Sequence, residues 1–486
     1  MSPLSKAQTC PRSPKDADAA TRAPEVIVRA RIVVTMDGAP IENGAVAVSG
    51  NRIDDSLSGP SPSRAARLCR AAPAGSIVDV GKFDQIKKDN AGEIVDLGEQ
   101  ALLPGLINAH CHLDYTCLRG KIPPQRTFAD WIRAINAEKE KLSPKDYLSS
   151  INKGFAEAKR FGTTTVANLT AFPDLIPQIH APIRTWWFAE LIDVRAPKHA
   201  NEIVDLVRRR TDSLRRAIES LRSLECADTS ALLKRSRSRG IAALQTQHWG
   251  LAPHALFTAS ENLYERCEEI ARRENVLLTT HLAESREEME MFRDASGPLY
   301  EFLKSIGRPM DDCGNETPLG LFLGAPLSRR AGCDRALPQW IVAHLNELTE
   351  NDFDMLENAK GQFHVAHCPR SHGYFKHSQF PFERLHSLGF NICLGTDSLA
   401  SNENLSLFAE MRAFQRSEPG ISPDEILEMV TVNPAMALHQ ENMIGRIRPG
   451  FCADLIAIPC SQEGDLFEEI VGFDGEIDWV MVNGDM

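Results

Sequence analysis

From about Leu103 to Gln440, short apolar runs with β character alternate with amphipathic helical stretches, and several of the runs end on a histidine, aspartate or glutamate. The runs are GTTTVANL, IRTWWFAEL, NVLLTTHLAE, QWIVAHL, FHVAHC and NICLGTDS, and helical periodicity fills the spaces between them, as in YLSSINKGFAEAKRFG and SENLYERCEEIARREN. Runs this apolar suit strands buried on both faces, which a parallel sheet covered by helices provides. An open doubly wound sheet would gather its polar residues at one switch point, usually beside a glycine-rich phosphate loop. No such loop is present in the sequence. A closed barrel instead carries functional residues at the ends of successive strands. The pattern predicts a parallel (β/α) barrel.

The flanking segments have a different character. From Val26 to Val48, VIVRARIVVTMDG and AVAVSG alternate in β fashion, with turns expected at Asp37-Gly38 and from Glu42 to Gly44. Arg52 to Gly92 is rich in Ser, Pro, Ala, Asp and Lys and has little periodicity, so it reads mainly as an insertion. A short strand, EIVDLG, then leads into ALLPGLINAH, and the last forty or so residues return to strand character in GFCADLIAIP and DWVMVNGD. Two β-rich ends around a long middle suggest one small β domain built from residues 24–102 and 441–486, around a barrel over 103–440. Residues 1–23 are polar, lack the apolar stretch of a secretory signal, and are expected to form a flexible tail. The basic stretch Val204 to Gly240, with RRR, LRR and KRSRSRG, reads as a solvated extension of the barrel.

Charge and composition narrow the function. A net charge of −12 argues against nucleic-acid binding, which needs a concentrated positive surface. No apolar run approaches the roughly 20 residues needed to span a bilayer. The 12 cysteines show no CxxC spacing, so a reducing cytoplasm is the expected setting. A small-molecule partner is expected, and a homo-oligomer is compatible with the sequence.

The chemistry begins at Asn108-Ala-His-Cys-His-Leu. Residues i and i+2 of a strand point the same way, so His110 and His112 can reach one ion, while Cys111 between them should point away. Two imidazoles alone could equally make ordinary hydrogen bonds. Three further strand ends add to them: LLTTHLAES brings His281 and Glu284, IVAHLNE brings His344, and NICLGTDSLAS brings Asp397. A bare carboxylate at the end of a buried strand is costly unless a cation or hydrogen bonds compensate it. Asp397 alone could be a helix cap, and Glu284 a helix-start carboxylate. Their recurrence in order, each after a β run, points to one shared site.

These segments carry a resemblance. PGLINAHCHL, THLAES, AHLNELT, HCPRSHGYF and LGTDSLASN look like the successive signatures of the amidohydrolase superfamily. More narrowly they resemble its aminohydrolase and chlorohydrolase branch, which includes deaminases of S-adenosylhomocysteine, guanine and aminodeoxyfutalosine. VNPAMALHQENMIGRIRPGFCADLIAI is similar to that branch's barrel exit, so the likeness covers nearly the whole chain. It implies a distorted (β/α)8 TIM barrel with a composite β-sandwich from both termini. It also implies that His110, His112, His281 and Asp397 bind metal, that Glu284 shuttles protons, that His344 assists at the substrate, and that His254 contacts it. Dinuclear members carry a carboxylated lysine on a middle strand, where TWWFAELIDV offers glutamate; that favours a single divalent ion, zinc or alternatively iron(II). His372 stands where the branch commonly has asparagine. The dense histidines at 364, 367, 372 and 377 are expected to serve in hydrogen bonding rather than to hold a second metal.

The expected activity is hydrolytic deamination of an aminated heterocycle, such as an adenine-bearing nucleoside derivative, by a metal-activated water. A chlorohydrolase or cyclic-amide hydrolase would keep the same site with another leaving group. A noncatalytic barrel with a structural ion would enclose that ion fully, whereas Glu284 and His344 beside an open coordination position favour catalysis.

Overall fold

The computed structural model describes residues 24–49, 75–194, 200–205, 247–328, 340–461 and 464–486. The expected N-terminal tail, residues 52–74 of the expected insertion and the basic stretch after Asp205 lie outside them.

Near the N-terminus, Pro24–Val33 (β1) and Ile41–Ser49 (β2) pair antiparallel, with Val28 opposite Val46 and Ala30 opposite Gly44. Ile77–Lys82 (β3) extends this ribbon beside β2, and Glu93–Asp96 (β4) and Gln100–Pro104 (β5) both run parallel to β1. Two local expectations fail here. Arg52 to Gly92, read mainly as an insertion, contributes β3 and the helix Phe83–Asp89. β3 is an edge strand in which Val78 to Gly81 are only half-buried, so it needs little of the apolar alternation that marks a strand. The turn expected from Glu42 to Gly44 is instead strand, with Glu42 opposite Ile32 and the left-handed kink confined to Asn43 (φ 46°).

Eight parallel strands follow in sequence order: Leu106–Cys111 (β6), Thr163–Thr170 (β7), Arg184–Leu191 (β8), Gln247–Pro253 (β9), Leu277–Leu282 (β10), Trp340–His344 (β11), Phe363–His367 (β12) and Ile392–Leu394 (β13). The ring closes where the backbone N–H groups of Thr396 and Asp397 both donate to the carbonyl of His110, at 3.1 Å. One apolar cluster takes side chains from all eight strands, among them Ile107, Ala167, Phe188, Ala252, Leu277, Ile341, Ala366 and Cys393, and fills the bore as the core of a closed barrel does. The opposite strand faces pack under helices. Pro144–Arg160, for example, begins with a capping box at Ser143 and lays Ile151, Phe155 and Ala158 against β7 and β8 residues such as Val166 and Trp187. The strand β9 went unread in the sequence because QHWGLAP contains glycine and proline. Gly250 is there for packing: a Cβ would lie 2.3 Å from the Phe188 ring.

The chain then returns to the first sheet. Leu455–Pro459 (β14) pairs antiparallel with β5, Ile456 opposite Leu103, and Trp479–Met481 (β15) adds to β14. Both ends thus share one seven-stranded sheet, β15-β14-β5-β1-β2-β3 with β4 on β1. A buried ion pair ties it to the barrel: Arg184 on β8 reaches the Asp454 carboxylate at 3.2 Å, with both side chains less than a tenth exposed. Among the described residues no helix is long and apolar enough to cross a membrane.

Candidate metal centre and active-site cavity

All four expected metal-binding side chains converge at the carboxyl ends of the strands, the functional end of this architecture. His110 and His112 come from β6 and the residue just past it, His281 from β10, and Asp397 from the turn after β13. Cys111 points away, packing with Leu113 and Ile151 on the helix side, as strand alternation requires. The ring nitrogens of His110, His112 and His281 lie within 4.8 Å of one another, the one such group of potential metal-binding side chains among the described residues. His112 Nε2 and His281 Nε2 are 3.2 Å apart, and the Asp397 Oδ1 atom lies 3.8 Å from His110 Nε2 and 3.7 Å from His112 Nε2. Donors bound at 2.0–2.1 Å around a tetrahedral ion are separated by about 3.3 Å. The separations of 3.2, 3.7 and 3.8 Å lie within about half an ångström of that value.

Two observations indicate that these groups suit a cation. Both ring nitrogens of His110 are buried without a hydrogen-bond partner, an arrangement that costs about 1–3 kcal/mol per group unless something binds there. His281 Nδ1 lies 2.8 Å from the backbone carbonyl of His254. A carbonyl only accepts, so Nδ1 carries the proton and Nε2 offers its lone pair to the centre. Burial, reinforced by His281, lowers the His110 pKa to about 3, and His112 also lies well below its usual range, first through burial and then through His110. Neutral imidazoles are the form that binds metal.

The strand-end backbone is specialised around this cluster. Ala283, His344, Leu345 and Asp397 all have positive φ, at 49°, 75°, 54° and 54°, a conformation that costs residues with a Cβ about 1 kcal/mol or more each. Such turns aim His344 and Asp397 inward beyond the regular strand. The approach between β6 and the β13 turn is equally tight. A Cβ on Gly395 would lie 2.7 Å from the His110 carbonyl, so glycine is what lets the ring close against β6.

Glu284 and His344 face each other beside the histidines, Glu284 Oε2 lying 3.8 Å from His344 Nε2. The Glu284 backbone is held independently of its carboxyl: its N–H donates to Glu288 Oε2 at 2.8 Å, and its carbonyl accepts from Asn346 Nδ2 at 3.0 Å. Burial, with Asp397 and Glu288 adding negative charge, holds the Glu284 carboxyl well above its usual range. His344 Nε2 is buried and without a hydrogen-bond partner. His254 lies one step further along the wall, its Nδ1 atom 2.7 Å from Thr258 Oγ1 and its Nε2 atom 3.9 Å from Glu190 Oε1.

Above these residues opens a cavity of about 470 Å³, within the usual range for small-molecule sites. Its floor includes His112, His281, Glu284, His344 and Asp397, and its walls are largely apolar. The helix Phe128–Lys139 supplies much of one wall. Phe128, Trp131, Ile132, Ile135, Asn136 and Lys139 recur at helical spacing, and all of them line the cavity. Glu287 fixes that helix by accepting from the N–H groups of Phe128 and Ala129, at 2.6 and 3.0 Å.

The amidohydrolase family profile matches residues 101–486, from the end of the first β segment through the whole barrel. The chain belongs to the amidohydrolase family. Among curated proteins it is 28% identical over 450 residues to a 5-methylthioadenosine/S-adenosylhomocysteine deaminase of Nitratidesulfovibrio vulgaris, covering 89% of this chain and 83% of that protein. It is 27% identical over 396 residues to a 5'-deoxyadenosine deaminase of Methanothrix thermoacetophila, covering 79% of this chain and 80% of that one. The fold matches a Helicobacter pylori aminofutalosine deaminase in complex with methylthio-coformycin, with a TM-score of 0.71 at 16% identity over 95% of this chain and 99% of that one.

Several residues of this amidohydrolase site were not picked out from the sequence. Ser371 and Ser401 donate to Asp397 Oδ2 at 2.6 and 3.3 Å, leaving Oδ1 toward the histidines. Burial pushes the Asp397 carboxyl up, but the facing His344 and His110 rings and the Ser371 hydroxyl outweigh it, and the group sits below its usual range. Serines in PRSHGYF and SLASN carry no local mark of such a role. The face of Phe128–Lys139 could have been read from its spacing. Of the histidines at 364, 367, 372 and 377, His364 stands apart with its ring bonded to the Asn391 side chain, whereas His367, stacked on Phe380 at 3.9 Å, neighbours the other two. His372 lies 5.2 Å from His367 and 5.6 Å from His377 between ring centroids, away from the cavity lining.

Proposed function

We propose that this protein is a mononuclear hydrolytic deaminase of an adenine-bearing nucleoside. The observation that carries the reading is the buried pair Glu284–His344, set 3.8 Å apart beside the three-histidine cluster on the floor of an apolar cavity. A structural metal would need neither a buried acid nor a cavity of nucleoside size. The deaminase names of the relatives support the same reaction class.

His110, His112, His281 and Asp397 would hold one ion, and zinc fits their three nitrogens and one carboxylate oxygen. The ion, when bound, supplies the Lewis acidity that brings a coordinated water's pKa from about 15.7 toward 7. Asp397, whose Oδ2 atom is seated by the Ser371 and Ser401 hydroxyls, would take the proton of the attacking water. Glu284 enters protonated and gives its proton to the ring nitrogen next to the amino-bearing carbon as water adds. His344 Nε2 hydrogen-bonds the attacking oxygen as the carbon becomes tetrahedral. The proton gathered by Asp397 then goes to the departing amine, the hydroxyl proton returns to Glu284 as the carbonyl forms, and ammonia leaves. The apolar walls exclude bulk water from this sequence. Eight described cysteines are free, which supports a reducing, cytoplasmic setting.

The test is ammonia release from a panel of adenine nucleosides by the zinc-loaded protein, including adenosine, 5'-deoxyadenosine and 5'-methylthioadenosine. Zinc-dependent release from at least one of them is expected. A loaded protein inert on the whole panel would overturn the deaminase reading, and chloride release from a chlorinated heterocycle would transfer the same site to another leaving group.

A further inference from the structure

One polar side chain in the cavity is left over by the mechanism. Strand β8 points Trp186 and Phe188 into the bore, so period two turns Glu190 inward at the cavity end of the strand. Its side chain is only 5% exposed, and it lines the cavity. Among the described residues Glu190 accepts no hydrogen bond: His254 Nε2 lies 3.9 Å away, beyond hydrogen-bond reach, and Asp114 and Tyr115 are near enough to feel its charge. By contrast, Asp193, three residues on, accepts from the Ser260 N–H and hydroxyl at 2.7 and 2.6 Å. The carboxylate oxygens are not sealed in the protein but open to the cavity, which is where a donor can approach.

We propose that Glu190 is a specificity-determining residue that accepts hydrogen bonds from the vicinal hydroxyls of the substrate's sugar. This rests on the deaminase reading and adds to it which part of the substrate is recognised, and by what. Glu284 and His344 lie at the ends of β10 and β11, whereas Glu190 ends β8, so a heterocycle engaged at Glu284 extends its remaining portion toward Glu190 past His254. Lys139, the one lysine or arginine among the described residues that line the cavity, sits 4.7 Å over the Tyr115 ring on the wall of the helix Phe128–Lys139. A neutral diol suits that surrounding better than a charged group. Its two hydroxyls can both donate to one carboxylate, whereas a phosphate would bring negative charge against Glu190.

The experiment measures binding apart from turnover. Inosine and 2',3'-dideoxyinosine, which share the expected product base and differ only in the diol, are titrated calorimetrically into the zinc-loaded protein and its Glu190→Gln and Glu190→Ala variants. Hydrogen bonds to a charged acceptor correspond to about 10- to 100-fold in affinity. The unmodified protein should therefore prefer inosine by that factor, and both variants should bind the two ligands within about threefold. If the unmodified protein binds both equally or neither, or if the variants keep the preference, the proposal is overturned. Kinetics on adenosine and 2',3'-dideoxyadenosine separate recognition from a role in placing His254. Loss of the diol contact raises KM for adenosine and erases its advantage in kcat/KM, whereas a displaced His254 would lower kcat on both substrates alike and so overturn the proposal. Failure of the deaminase reading appears separately, as absence of ammonia from every nucleoside, and leaves the inosine comparison to decide on Glu190.

Discussion

Replacing Glu284 by glutamine separates catalysis from metal binding. The substitution keeps the side-chain volume and removes the transferable proton. The surrounding loop should not move, because Glu288 and Asn346 hold the Glu284 backbone rather than its carboxyl. General acid–base help is typically worth about 100- to 10,000-fold, or roughly 2.7–5.4 kcal/mol of barrier. Glu284 is only 7% exposed, so bulk water is poorly placed to deliver the proton instead, and the loss should be at least about 100-fold. The assay is paired: zinc per chain by elemental analysis, and ammonia release under saturating and limiting substrate. Zinc content and melting temperature should match those of the unmodified protein while kcat and kcat/KM fall together. His281→Ala is the contrast, because it removes a metal-binding nitrogen and should lower zinc occupancy and activity in step. Full zinc with nearly full activity in the glutamine variant would refute the proton-transfer role. Loss of zinc in that variant would mean that Glu284 belongs to the metal-binding set.

Three further outcomes are expected. Ser371→Ala removes the 2.6 Å donor to Asp397 Oδ2, so activity should fall about 10- to 100-fold and the acid limb of its pH profile should move upward as the carboxyl becomes easier to protonate; an unshifted profile would count against the seating of Asp397. Gly395→Ala drives a Cβ to 2.7 Å from the His110 carbonyl, so stability should drop by about 1–3 kcal/mol in urea unfolding and zinc affinity should fall with it, whereas an unaffected variant would show that the closure is slack. Burial is the main cause that pushes the Glu410 pKa up to about 7, so the folded chain keeps a proton between pH 4.5 and 7 that the unfolded chain releases, and this contribution to stability is lost as pH rises through that window. Glu410→Gln does not titrate, so its stability relative to the unmodified protein should improve by up to about 3 kcal/mol from pH 4.5 to pH 7.5, and parallel stability curves would contradict the shift.

Much of the barrel was legible because burial on both faces writes itself into composition. GTTTVANL, IRTWWFAEL and QWIVAHL could only be covered strands, and their polar endings marked the functional rim. Once the run before them is a strand, the i, i+2 spacing of His110 and His112 puts two donors on one face. Local pattern was weakest where a strand needs little burial or must accommodate a neighbour. The edge strand β3 looked like insertion, and Gly250 in β9 is explained only by the Phe188 ring beside it.

Tertiary structure decided what depends on groups far apart in sequence. Asp397 approaches His110 and His112 across some 285 residues, and only ring closure through Gly395 brings them within 4 Å. Which oxygen of Asp397 remains available follows from Ser371 and Ser401, whose hydroxyls carry no local signature of that role. The same holds for Glu190: a glutamate in TWWFAEL is ordinary in a sequence, and it becomes unusual only when folding turns it into the cavity with no donor among the described residues. Local residues set the strands, their facing and the types of donor, since periodicity and side-chain chemistry are local properties. Distances, tautomers and unpaired groups were left to the fold, because each is a relation between surfaces that meet only when the barrel closes.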